Sequence, residues 1–377
     1  MPEQTLSALE QSWIYALEQA KEQAYPEAAE KGWLGDILCE TEKCPDLSHR
    51  LPRFVESFEK RKLLDVLQQH LPSSYTDLSL LTLGGTKAIF HASYGGEQRI
   101  LKIDRFPKNP HAYENMQKGY TVRHEHDILQ QLPEGQHHHL TWLLDSFSFR
   151  EHEKEYFVLV EPSFVSQPLL FVAAHNSPYE QFSLSLFPFL FSQIFDAVCY
   201  IYHEGFYHRD LSPSNILISD DRKNLDVRIV DFANTVHYTA EQSPLPFTTG
   251  SRTITDPFSV RQTNFPLDYL REQGELYSLG KNMLYTLLGK TWSETSTLGI
   301  PLLYDPLSLS VFMTTPRLPR YRNMDEDYTG TLGILLSNLP PEGRPFTSII
   351  HRCLILDQKE RYSSLLELVE DFQRCSS

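Results

Sequence analysis

Apolar positions along this chain follow two rhythms. Leu6, Leu9, Trp13 and Leu17 recur at helical spacing, and Phe54, Phe58, Leu63, Leu64, Val66 and Leu67 do so with small slips. Residues 1–75 therefore read as a helical extension. The pattern then shortens to strands: Leu81-Thr82-Leu83, a turn at Gly84-Gly85-Thr86, a second strand ending near Ala92, a turn at Gly95-Gly96, and the apolar strand Arg99–Asp104. Helical spacing returns over Val122–Leu132. Tyr156–Val160 is a continuous apolar strand that runs into Glu161 and Pro162. Leu190 to Gly205 reads as one amphipathic helix with glycine as its stop. Phe182, Phe187, Phe189, Phe191 and Phe195 are expected to pack in a core. Residues 290–345 hold Pro301, Pro306, Pro316, Pro319, Pro340, Pro341 and Pro345, which predicts a loop-dominated surface with short helices.

Two features inside this pattern carry chemistry. Lys102 is embedded in an apolar strand, which is costly unless its ammonium meets an anion. The run Tyr207-His208-Arg209-Asp210-Leu211-Ser212-Pro213-Ser214-Asn215-Ile216-Leu217 is followed by Val230-Asp231-Phe232. It offers an aspartate to accept a hydroxyl proton, and an asparagine and a second aspartate to hold magnesium, the parts that phosphoryl transfer needs. Backbone amides of Gly84, Gly85 and Thr86 suit a phosphate cradle.

On these motifs and their order, residue 76 onwards resembles the protein kinase superfamily, as a divergent serine/threonine kinase. The resemblance implies an α+β, two-lobed fold: a β-rich small lobe over about 76–161 and an α-helical large lobe over about 164–377. It implies ATP and Mg2+, with Asp210 as catalytic base, Asn215 and Asp231 as magnesium ligands, and Lys102 on the nucleotide phosphates with Glu125 as its partner. The Glu161 carbonyl and Ser163 amide are expected to face the adenine, with Val160 behind them. His208 and Arg209 read as supports. The substrate implied is a protein hydroxyl, and Thr248 and Thr249 are candidate phosphorylation sites. The N-terminal helices are expected to brace the Glu125 helix or to bind a partner.

The chain departs from the family pattern in several places. Ser212 stands where serine/threonine kinases carry a lysine, Ala233 replaces the glycine after Asp231-Phe232, and Glu275 replaces an aspartate in the central helix. The segment Gly250–Pro257 is a degenerate substrate-docking loop, and Arg361 needs a partner other than the missing glutamate, with Asp256 as the candidate. These departures keep alternatives open: a pseudokinase scaffold, a small-molecule kinase, or another transferase on the same fold.

Composition narrows the setting. A net charge of −15 argues against general nucleic-acid or anionic-membrane binding. Cys39, Cys44, Cys199, Cys353 and Cys375 are odd in number and scattered, which fits a reducing compartment, and the Cys39–Cys44 spacing reads as structural. No uninterrupted apolar run reaches the roughly 18 residues of a membrane span, so a cytoplasmic location is expected, export into a host cell being unreadable. The run His137-His138-His139 is expected to lie in a solvated connection.

Overall fold

The structure, a computed structural model, describes residues 63–84, 87–104, 121–132, 137–151, 154–169, 184–219, 225–237, 267–288, 324–355 and 357–376. The chain divides into two compact units, Met1–Gln117 with Ser148–Phe157, and Lys118–Phe147 with Val158–Ser377. Most of the expected extension, and with it Cys39 and Cys44, lies outside the described residues. So do the 250–257 segment, Thr248 and Thr249.

In the first unit, α1 (residues 63–70) buries Leu63, Val66 and Leu67, one face of a helix. A meander follows: β1 (Tyr75–Leu83), β2 (Lys87–Tyr94) and β3 (Glu97–Asp104). With β4 (Asp145–Glu151) and β5 (Lys154–Pro162) they form a five-stranded sheet of order β1-β2-β3-β5-β4. Gly95 and Gly96, at φ 59° and 86°, make the two-residue turn between β2 and β3, a left-handed geometry that favours glycine. The resulting register pairs Phe90 with Leu101 and Ala88 with Ile103, all four fully buried. Lys102 points to the opposite face beside Ile89, and is also buried.

The second unit opens with α2 (Val122–Leu129), whose N-cap Thr121 hydroxyl accepts from the His124 amide at 3.2 Å. Its centre is α3 (Phe187–His203), where Pro188 sits in the first turn and Gly205, at φ 91°, ends the turn beyond. The stretch Leu184–His203 is long and apolar enough to cross a membrane by length and composition, and half of it is buried inside the protein. Its apolar face meets Phe346 and Phe372: Phe187, Phe191 and Phe195 close around the Phe372 ring, with centroid distances of 6.1, 6.4 and 4.8 Å. Phe189 departs from the expected core series, being 53% exposed, because it falls on the outer face of α3; Phe182 is outside the described residues.

Four further short strands are β6 (Ser166–Pro168), β7 (Phe206–Tyr207), β8 (Ile216–Ser219) and β9 (Val227–Ile229); β7 and β9 lie beside α3, and β6, β8 and β9 form a sheet of order β6-β8-β9. β10 (Val236–His237) pairs with β7. Helices α4 (Leu267–Leu288), α5 (Met324–Ser337), α6 (Thr347–Leu354) and α7 (Leu365–Ser376) complete the unit. The 14 residues of α5 correct the expectation of only short helices across 290–345. Gly280 lets α4 approach α6 closely, since a Cβ there would collide with Cys353.

The histidine run is also corrected. His138 is exposed, whereas His139 is buried and His137 largely so. Leu140 forms a parallel bridge to Ile229, and this pulls its neighbours inward. His137 lies 3.2 Å from Asp196, His139 lies 3.0 Å from Asp226, and burial holds both imidazoles below their ordinary pKa.

Candidate active site

Two short segments of the second unit build the site. The first, between β7 and β8, turns sharply at Arg209, whose φ of 64° is left-handed and strained for a residue with a side chain. Neighbours hold that turn. The Arg209 amide donates to Oε1 of Glu275. The Asp210 amide donates to His208 Nδ1 at 3.3 Å, and His208 Nε2–H donates to the Val230 carbonyl at 3.2 Å, so both ring nitrogens are used in one tautomer. His208 also packs edge-on against Phe232 at 5.0 Å, the supporting role expected of it. Below, Asn282 Nδ2 donates to the Leu211 carbonyl at 2.7 Å. Asn215 Nδ2 closes the loop on the Asp210 carbonyl at 2.9 Å.

The second segment follows β9. The Val230 amide donates to the Asn215 carbonyl at 3.0 Å, which sets Asn215 beside Asp231 along the chain. Asp231 adopts φ 71°, ψ 74° and caps a short 3-10 turn, Phe232–Asn234, by accepting from the Ala233 amide. Positive φ falls on Asp231 and not on Ala233, so alanine meets no steric penalty where the family has glycine. Glu125, fully buried on α2, accepts from the Phe232 amide at 3.0 Å. His124 Nε2 donates to the Thr235 carbonyl at 2.8 Å.

Asp210, Asn215, Asp231 and Glu125 are thus connected within one unit. Glu161, 2% exposed, and Ser163 lie on the segment that leaves β5 in that same unit. Lys102 is buried in the first unit, which also holds Gly84. The Gly84 amide closes the β1–β2 hairpin on the Lys87 carbonyl at 2.8 Å, so this N–H serves the turn; Gly85 and Thr86 lie outside the described residues. Ser212 is 2% exposed, with its Oγ 2.6 Å from that of Ser214, and it places no charge near Asp210.

Asn215 and Asp231 suit magnesium. The Asn215 amide nitrogen is engaged by Asp210, which leaves its oxygen as the ligating end, and an amide oxygen with a carboxylate is the hard donor set of an ion that keeps water and phosphate oxygens as its other ligands.

Helix α4 acts as a post, its buried polar side chains holding loop backbone. Besides Glu275 and Asn282, Gln273 Nε2 donates to the Tyr362 carbonyl at 2.9 Å. Arg361, 2% exposed, donates from Nε to the Ile355 carbonyl at 2.6 Å and sits over the Tyr277 ring; Asp256, its expected partner, is outside the described residues.

Glu275 is 4% exposed, and its Oε2 has no hydrogen-bond partner among the described residues. Burial pushes its carboxyl up to about 7, against the opposing pull of the Arg209 amide and guanidinium. The folded state therefore binds this proton more tightly than the unfolded chain. Stability from the group is complete below about pH 4.5 and is lost as pH rises through 7, up to about 3 kcal/mol. Glu275→Gln keeps an oxygen for the Arg209 amide and removes the titration. Urea unfolding from pH 4.5 to 8 is expected to show the difference between variant and wild type shifting by up to about 3 kcal/mol in favour of glutamine as pH rises. A difference constant with pH would contradict the assignment.

Sequence reasoning missed three contributors. Asn282 was signalled by a polar residue inside an apolar helix pattern. Arg228 stacks between Trp142 and Phe164, with its guanidinium carbon 5.0 and 4.4 Å from the ring centroids, and burial lowers its pKa while Asp226 and Glu161 oppose the shift. The third, Asn234, donates from Nδ2 to Asp210 Oδ2 at 3.0 Å. Position alone, three residues after Asp231, would have been its signal.

Comparison with known proteins agrees with this geometry. The family described as "Protein kinase domain" matches residues 99–372, well over half of the chain. Serine/threonine-protein kinase ksp1 of Schizosaccharomyces pombe is 29% identical over 137 residues, 36% of this chain and 28% of that protein. The sperm motility kinase Tcr mutant form of Mus musculus is 29% identical over 108 residues, 29% of this chain and 21% of that protein. The matched segments thus span under a third of either relative. The two-lobed kinase fold and the family match agree, and the chain belongs to the protein kinase family.

Proposed function

We propose that this protein is an ATP- and magnesium-dependent kinase that transfers the γ-phosphoryl group to a serine or threonine hydroxyl of a protein. The observation that carries this reading is the bonded connection of Asp210, Asn215 and Asp231: Asn215 Nδ2 on the Asp210 carbonyl, and Val230 N–H on the Asn215 carbonyl one residue before Asp231. In the proposed step, the acceptor oxygen forms a bond to the γ-phosphorus while the bond from that phosphorus to the bridging oxygen breaks. ADP leaves, and the acceptor's proton passes to the Asp210 carboxylate. Lys102 orients the phosphates, and the Glu161 carbonyl and Ser163 amide bind the base. Asn215 and Asp231 would hold magnesium, which would supply positive charge against the nucleotide phosphates. The name of the fission-yeast relative supports serine/threonine specificity.

The test is incubation of the purified protein with magnesium and ATP labelled at the γ- or the α-phosphate, with cell lysate, for wild type and Asp231→Ala. Label from the γ-position on protein serine or threonine, lost by at least about a hundredfold in Asp231→Ala, is the expected result. Label on metabolites alone would make it a small-molecule kinase, and label from the α-position another transferase. No transfer by a folded, nucleotide-binding protein would make it a pseudokinase scaffold.

A further inference from the structure

We propose that Asn234 is a positioning residue for phosphoryl transfer, an uncharged donor that holds the carboxylate of Asp210 in its reactive orientation. This rests on the kinase reading above and adds a residue to it. Asn234 Nδ2 lies 3.0 Å from Asp210 Oδ2. Only the NH2 end of an amide can face a carboxylate, so the contact defines the orientation of both groups.

The turn that presents this amide is held from both ends. Before Asn234, the Phe232 amide is bound by Glu125, and the Phe232 ring is fully buried against His208. After it, the Thr235 carbonyl accepts from His124, and the Thr235 amide donates to the Phe232 carbonyl at 3.0 Å. The buried Thr235 hydroxyl reaches the His208 carbonyl at 3.4 Å, two residues from Asp210. Asn234 therefore sits on a turn held on both sides and adds a side-chain bond from that turn to the Asp210 loop. Asp210 receives this donor from outside its own loop, whereas its backbone is satisfied within the loop by His208, Ser212 and Asn215. The nearby Ser212 is occupied with Ser214, so the loop itself supplies no side-chain cation to the carboxylate from that position.

A donor that only aims the base acts on turnover and not on nucleotide affinity. Asn234→Asp keeps the shape and replaces the donor by a second negative oxygen; Asn234→Ala removes the donor without adding charge. With the full chain and the protein substrate labelled by wild type, kcat is expected to fall about tenfold to a hundredfold in both variants, further in Asp than in Ala, with KM for ATP within about twofold of wild type. Melting curves identify any variant that does not fold, and the alanine variant then decides. Wild-type kcat in folded Asn234→Ala, or a rise confined to KM for ATP, overturns the proposal. Loss of activity in the wild type itself would instead refute the kinase reading on which it rests.

Discussion

Asp210→Ala is expected to lower kcat by a factor of about 10² to 10⁴ while leaving ATP affinity within about twofold of wild type. The carboxylate is proposed to take the acceptor's proton as the oxygen–phosphorus bond forms, so its interaction belongs to the transition state and not to the bound nucleotide. The substitution is suited to the question because the loop's shape does not depend on that side chain alone. The Asp210 amide is held by His208, and its carbonyl accepts from the Ser212 amide at 2.7 Å and from Asn215. The Arg209 amide on Glu275 and the Leu211 carbonyl under Asn282 are untouched. Single-turnover transfer of γ-label, measured beside a nucleotide-binding titration, checks both halves of the expectation. Activity within about threefold of wild type would remove Asp210 from the mechanism, and a large loss of nucleotide affinity would move its role to binding.

The largest expected loss of stability comes from Phe372→Ala, at about 3–5 kcal/mol. Phe372 is 1% exposed and lies where α7 meets α3 and the 3-10 turn Pro341–Phe346. Its ring stacks on Phe346 at 4.9 Å and meets Phe195 edge-on at 4.8 Å, with Phe187 and Phe191 beyond. Truncation leaves a cavity walled by four rings that are themselves at most 2% exposed and have little room to collapse. Urea unfolding followed by far-ultraviolet circular dichroism gives the difference, with Phe372→Leu as the milder control expected to cost about 1–2 kcal/mol. A Phe372→Ala cost below about 1 kcal/mol would show that the cluster relaxes around the gap.

Where the sequence carried a periodic or chemical signal, the elements were legible. The strand read as ending near Ala92, the Gly95-Gly96 turn and the apolar strand at Arg99–Asp104 announced the β2–β3 hairpin, and the apolar spacing with Gly205 announced α3. The order of lysine strand, acidic helix, catalytic loop and Asp231 announced the family, because these residues are adjacent in sequence or recur at set separations. Burial of particular side chains was harder to read. The histidine run looked solvated because it was read as the connection leading into a strand, yet Leu140 bridging Ile229 carries His139 into the interior. Phe189 looked like core because it is apolar, yet it follows the α3 helix to the outer face.

Local sequence thus determined which segments become strand or helix, and which side chains are chemically able to take a proton or bind magnesium, since both depend on residue type and near-neighbour spacing. Tertiary structure decided how those side chains are aimed. The left-handed turns at Arg209 and Asp231 persist because groups far along the chain, Glu275 for the first and Glu125 for the Phe232 amide that follows the second, satisfy the backbone there. Asn234 reaches Asp210 across 24 residues for the same reason. Such contacts are set by the packing of α2 and α4 around the loops, and no periodicity in the intervening sequence encodes them.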